Sequence, residues 1–112
     1  MKIYHNPRCT KSRQTLALLE EAGVQPEIVK YLEDVPTTED LKDLLVKLNM
    51  KAADLLREGE KAYKEMIKGK TFGDEELIQI MVENPKLIER PIVVRGNKAV
   101  LGRPPENVKE LL

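Results

Sequence analysis

Residues 2–31, KIYHNPRCTKSRQTLALLEEAGVQPEIVKY, decide the fold. Residues 2–5 read as a short strand that Asn6 and Pro7 break. From about Thr10 the pattern turns helical and runs to Ala22, with Leu16 and Leu19 on one face and Gly23 as the stop. Glu27-Ile28-Val29-Lys30-Tyr31 then alternates, with β-branched residues, as a second strand does. Strand, helix and strand at this spacing form a βαβ unit, which predicts two parallel strands joined by a right-handed crossover.

The pattern beyond Tyr31 changes character. Thr37 or Thr38 can cap a helix whose Leu41, Leu44, Leu45 and Leu48 recur at helical spacing. Shorter helical pieces are expected at 52–57 and 60–67. Asp74 is expected to cap a helix carrying Leu77, Ile78, Met81 and Val82, which Asn84-Pro85 ends. Arg90-Pro91-Ile92-Val93-Val94 begins a third strand, and Gly96-Asn97 suits a tight turn into Ala99-Val100-Leu101. Gly102-Arg103-Pro104-Pro105 opens a last helix expected to turn Val108, Leu111 and Leu112 inward. The order βαβ, helices, ββα predicts an α/β domain over residues 1–112: a mixed four-stranded sheet with a helical insertion at about 33–89.

Composition narrows the class of function. Lysine plus arginine and aspartate plus glutamate each number 19, so no net field argues for nucleic acid or an anionic membrane. No apolar run approaches the roughly 20 residues of a membrane helix. The single cysteine cannot close an internal disulfide, which makes the cytoplasm the expected compartment. A monomer is the expected state. One histidine and one cysteine cannot anchor a zinc site, and no metal is expected.

Cys9 lies where the first strand gives way to the first helix. Unpaired amides and the positive end of the helix dipole favour thiolate over thiol there, and the same amides suit a tetrahedral oxyanion. Ser12 stands where a second thiol would complete a C-x-x-C pair. Its hydroxyl can hydrogen-bond the thiolate but cannot form a disulfide, so a resolving thiol must come from outside. Arg8, Arg13, Arg57, Arg90, Arg95 and Arg103 come from distant segments, and two or three converging on the sulfur would bind arsenate or phosphate. Any given arginine can be a solvated surface charge, but Arg90 and Arg103 each directly precede a proline where a strand or helix begins, a position that tends to line a sheet end. His5 can either end the strand or modulate the thiol. A thiol-phosphatase loop needs arginine six positions after the cysteine, where this chain has Thr15. A Walker-type loop is absent.

Four ordered blocks now align. His5-Asn6-Pro7-x-Cys9-x-x-Ser12-Arg13-x-Thr15-Leu16, Leu55-Leu56-Arg57, Arg90-Pro91-Ile92-Val93-Val94 and Gly102-Arg103-Pro104 resemble the glutaredoxin-coupled arsenate reductase family, ArsC. Within it, Arg8-Cys9-Thr10-Lys11-Ser12 is similar to a subgroup bearing Arg-Cys-[Ser/Thr]-Lys-Ser, where other members carry Gly-Thr after the cysteine. The resemblance implies a thioredoxin-like fold, with Pro91 as the cis-proline that precedes the third strand. It implies Cys9 as nucleophile, His5 and Ser12 as thiol-tuning residues, and Arg57, Arg90 and Arg103 as the oxyanion-binding trio. It further implies no bound cofactor, glutathione as co-substrate and a glutaredoxin as partner. Two other readings share the fold: a glutaredoxin-like thiol oxidoreductase acting on another substrate, and a non-enzymatic regulator similar to the Spx family.

Overall fold

The computed structural model describes residues 1–112. It divides into two compact units, one formed by 1–34 with 90–112 and the other by 35–89.

The first unit holds the sheet. Strands β1 (Lys2–Tyr4), β2 (Glu27–Val29), β3 (Ile92–Arg95) and β4 (Lys98–Leu101) lie in the order β2-β1-β3-β4. β1 runs parallel to β2, as the βαβ spacing predicts, and β3 is antiparallel to both β1 and β4. This is the mixed four-stranded α/β sheet expected from the sequence. Gly96, at φ 59, supplies the left-handed backbone that turns β3 into β4.

In register, Ile3 stands opposite Val93 and Val93 opposite Val100, so the three share one face of the sheet. Helix α1 (Thr10–Glu21) and a 3-10 helix at Pro105–Leu111 cover that face, burying Leu19, Val108 and Leu111 against it. Each such side chain stabilises by about 1.5–3 kcal/mol relative to exposure. That packing, rather than any capping side chain, holds α1 in place, because no side chain caps its first turn. Gly23, at φ 81, ends the helix.

Three details depart from the sequence reading. β2 stops at Val29, short of Tyr31, because the amides of Glu33 and Asp34 both turn back to the Lys30 carbonyl. The last helix is 3-10 rather than α. Its buried residues Pro105, Val108 and Leu111 recur every three positions, the period of a 3-10 helix, which aligns them on one face. Leu112 falls outside that period and is exposed rather than inward-facing.

The second unit is helical. Helix α2 (Thr38–Leu48) opens with a reciprocal cap: the Thr37 hydroxyl accepts from the Asp40 amide at 3.1 Å, and the Asp40 carboxylate accepts from the Thr37 amide at 3.0 Å. Leu41, Leu44 and Leu45 are its buried stripe. After a 3-10 turn at Ala52–Leu55 come α3 (Lys61–Met66) and α4 (Asp74–Glu83). Gly73 rather than Asp74 is the capping position of α4, its amide donating to the Glu76 carboxylate at 3.0 Å. Leu77, Ile78 and Met81 are buried on α4. Leu56 bridges to Ile88, with the Arg57 amide on the Leu87 carbonyl at 2.7 Å and the Glu89 amide on the Leu55 carbonyl at 2.8 Å. No helix is long and apolar enough to cross a membrane.

Candidate active site

The site begins where β1 runs out. The His5 amide donates to the Val29 carbonyl at 2.8 Å, continuing the β1–β2 pairing by one residue and fixing His5 at the end of the sheet. Asn6 and Pro7 then turn the chain. The Asn6 side-chain oxygen accepts from the Arg8 amide at 3.0 Å, and the Asn6 carbonyl accepts from the Cys9 amide at 3.0 Å. Arg13 reaches back along the first turn of α1 to donate to the Pro7 carbonyl at 2.8 Å and the Thr10 hydroxyl at 3.2 Å. These bonds fix the loop that presents the thiol.

Cys9 is the N-cap residue of α1, extended at φ −90 and ψ 122, with no acidic residue in the following turn to compete for its amides. Its sulfur is half-buried and free. Burial pushes the thiol up, but the Ser12 amide, the Arg90 guanidinium and the Lys11 amide together outweigh it, and the thiol sits below its ordinary value. Arg103 approaches from the loop after β4, its Nη1 lying 3.9 Å from Cys9 Sγ and 3.5 Å from the Arg90 carbonyl. Arg90 itself is buried, at 8% exposure, so its charge acts on the thiol with little screening by water.

The hydroxyl of Ser12 does something other than bind the thiolate. It sits 2.6 Å from His5 Nδ1 and accepts from the Asn6 amide at 3.1 Å; it is the Ser12 amide that serves the sulfur. The sequence reading of the hydroxyl on the thiolate is corrected accordingly. Ser12 thus braces His5 and the Cys9 loop from within the core, where it is fully buried. Burial, then the charges of Lys30 and Arg13, hold the His5 imidazole below its ordinary value, so it is neutral at neutral pH.

Cys9, His5, Ser12, Arg90 and Arg103 come together in the first unit. Arg57 belongs to the second unit, where its Nη1 pairs with the Glu60 carboxylate at 3.1 Å. Of the remaining arginines, Arg13 clamps the Cys9 loop and Arg95 donates to the Leu111 carbonyl. Arg8 is exposed.

Sequence reasoning assigned no part to Thr15 and Gly102 individually. The Thr15 hydroxyl donates to the Lys11 carbonyl at 2.8 Å and lies 3.3 Å from the Gly102 carbonyl. The Gly102 amide donates to the Pro91 carbonyl at 2.9 Å. A Cβ on Gly102 would lie 2.6 Å from Thr15 Oγ1 and 2.9 Å from Pro91 Cγ. Arg90–Pro91 is a cis peptide bond, as the resemblance implied, and Arg103–Pro104 is cis as well. A signal was present: Ser12, Thr15 and Leu19 fall at i, i+3 and i+7, so two polar residues occupy the buried stripe of α1.

The lowered thiol makes a direct prediction. Alkylation of Cys9 by iodoacetamide should rise with pH through a midpoint below that of a free cysteine, about 8.5, and then level off. Because folding favours the ionised form, the associated stability is present above the unfolded-state value and is lost as pH falls through the folded one. Arg90→Ala should move the midpoint upward. A wild-type midpoint at or above the free value would contradict the account of the thiol.

A parallel β1–β2 pair joined through α1, completed by an antiparallel hairpin and carrying one free thiol at the helix start, defines a thioredoxin-like fold. The chain belongs to the ArsC family, which it matches over residues 4–111. It is 54% identical to the Escherichia coli (strain K12) protein YfgD, over 100% of this chain and 96% of that one. It is 42% identical to an arsenate reductase of Neisseria meningitidis serogroup B, over 100% of this chain and 97% of the relative. The solved structure of an arsenate reductase from Vibrio cholerae superposes with a TM-score of 0.95 at 50% identity, covering 99% of this chain and 96% of that one.

Proposed function

We propose that this protein reduces arsenate to arsenite through a Cys9–arsenate adduct, using glutathione as co-substrate and a glutaredoxin to resolve the resulting mixed disulfide. The observation that carries the reading is the Arg103 guanidinium 3.9 Å from the one thiol of the chain, at a helix start that favours thiolate. A thiolate attacks electrophiles; a guanidinium beside it recruits a tetrahedral oxyanion by charge-assisted hydrogen bonds. Family membership and the arsenate reductases among the relatives support arsenate as that oxyanion.

In this mechanism the Cys9 thiolate attacks arsenic and water leaves, giving a sulfur–arsenic bond. Arg90 and Arg103 balance the oxyanion's charge, and His5 with Ser12 hold the loop that aims the sulfur. Arg57 enters as the third arginine on the resemblance alone. Ser12 cannot close a disulfide with Cys9, which supports the need for an external thiol. Summed over the cycle, arsenate and two thiols give arsenite, one disulfide and water.

The test is arsenate-dependent NADPH consumption in the presence of glutathione, glutaredoxin and glutathione reductase. Arg90→Ala and Arg103→Ala should each raise the KM for arsenate by about ten- to a hundredfold, the loss of one charge-assisted contact of about 1.5–3 kcal/mol; Arg57→Ala is read in the same assay. No consumption above the arsenate-free rate would overturn the proposal.

A further inference from the structure

A cavity opens beside the loop that leads into Cys9, between that loop and the segment after β2. Its volume is about 300 Å³, and Asn6, Pro7, Arg8, Lys30, Leu32 and Glu33 form its walls. That is the lower end of the range for small-molecule sites, about 300–1,000 Å³. Pro7 and Arg8 directly precede Cys9, so a ligand held here lies beside the sulfur-bearing residue.

We propose that this cavity binds the tripeptide thiol that discharges the Cys9 adduct; the assignment rests on the arsenate reading above and adds where glutathione docks. Glutathione carries two carboxylates and one ammonium group. The cavity offers the complement: two cations, Arg8 and Lys30, and one carboxylate, Glu33. None of the three makes an ion pair within the protein, so all three are available to a ligand. His5 at the cavity's inner end is neutral and leaves that balance unchanged. Leu32, 39% exposed, gives the ligand's methylene groups an apolar wall.

A rival groove flanks the same helix start, about 460 Å³ in volume and lined by Lys11, Glu21, Pro104 and Glu106 among others. It is larger, yet it carries one cation and two carboxylates, the reverse of what glutathione needs. Charge decides between the two. From the Lys30 cavity the glutathione thiolate attacks Cys9 Sγ, the sulfur–arsenic bond breaks and its electron pair stays on arsenic. Arsenic(V) becomes arsenic(III), the two sulfurs are oxidised to a mixed disulfide, and arsenite departs.

Binding is tested without arsenate. Reduced glutathione titrated into ¹⁵N-labelled Cys9→Ser protein should shift the amides of Arg8 and Lys30 to Glu33. Lys30→Gln should weaken that binding about fivefold at low salt and less at high salt, as an exposed charge contact does. Lys30→Arg should retain it, and Glu106→Gln should leave it unchanged. In the wild-type background, Lys30→Gln should slow reaction of Cys9 with oxidised glutathione but not with 2-hydroxyethyl disulfide, which has no charged groups. Shifts confined to Lys11 and Glu106, no shifts, or equal slowing with both disulfides would overturn the assignment. Selective binding at Lys30 without arsenate turnover would sink the arsenate reading and leave the cavity's ligand standing.

Discussion

Replacing Cys9 with serine should reduce arsenate-dependent NADPH consumption to the enzyme-free rate, a loss on the order of 10³-fold or more, as removal of a nucleophile gives. The environment that lowers the thiol cannot rescue a hydroxyl, whose proton is held far more tightly. The fold should survive. Cys9 is half-buried and caps α1 through no side-chain bond, and serine differs from it by one atom. Thermal melting within a few degrees of wild type, together with lost activity, would separate chemistry from folding. Retained turnover in the serine variant would remove Cys9 from the mechanism.

The largest structural effect is expected from Gly102→Ala. The new methyl would sit 2.6 Å from Thr15 Oγ1 and 2.9 Å from both Pro91 Cγ and Thr15 Cγ2. Neither neighbour yields easily. Thr15 is fully buried and tied to the Lys11 carbonyl, and Pro91 is a buried ring. Overpacking of this kind costs about 1–3 kcal/mol, or about 5–15 °C in a domain of this size. Removing the obstacle should recover part of it: in Thr15→Ala/Gly102→Ala the two effects should fall well short of additive. Additive losses by thermal melting would mean that the close approach is not what the glycine serves. Because Thr15 also braces the Lys11 carbonyl on the first turn of α1, Gly102→Ala should slow Cys9 alkylation as well.

Much of the fold was legible because its signals are local. Ile3 and Tyr4 before Asn6-Pro7, the α1 leucines before Gly23, and the Thr37–Asp40 cap each depend on neighbours a few residues away. The period of the last helix was equally present in Pro105, Val108 and Leu111, and reading it as 3.6 rather than 3 led to the misplacement of Leu112. The site was legible in its residue types and not in its bonds. Pro104 sets Arg103 apart from Arg13 and Arg95 in the sequence, but nothing local shows that Arg103 reaches the sulfur, Arg13 clamps the loop and Arg95 holds the final helix. Those roles depend on carbonyls and atoms brought close by the sheet. The Ser12 hydroxyl shows the same limit: helical spacing puts it near both Cys9 and His5, and burial settles its choice in favour of the imidazole.

The pairing of β1 with β3 joins Lys2 to Val94 and Tyr4 to Ile92. During synthesis β1, α1 and β2 leave the ribosome long before their partner strand exists. Until residue 95 has been made, one edge of β1 has no hydrogen-bond partner and Ile3 lacks the Val93 side chain that stands beside it. Closing such a long loop is slow, and an open edge beside an apolar face is where nascent chains associate with one another. The intervening 35–89 segment is contiguous and carries its own buried leucines, so it can gain structure while the edge waits. The Cys9 loop is therefore made well before Arg90 and Arg103, and the sulfur gains its guanidinium neighbours only when β3 and β4 have been made.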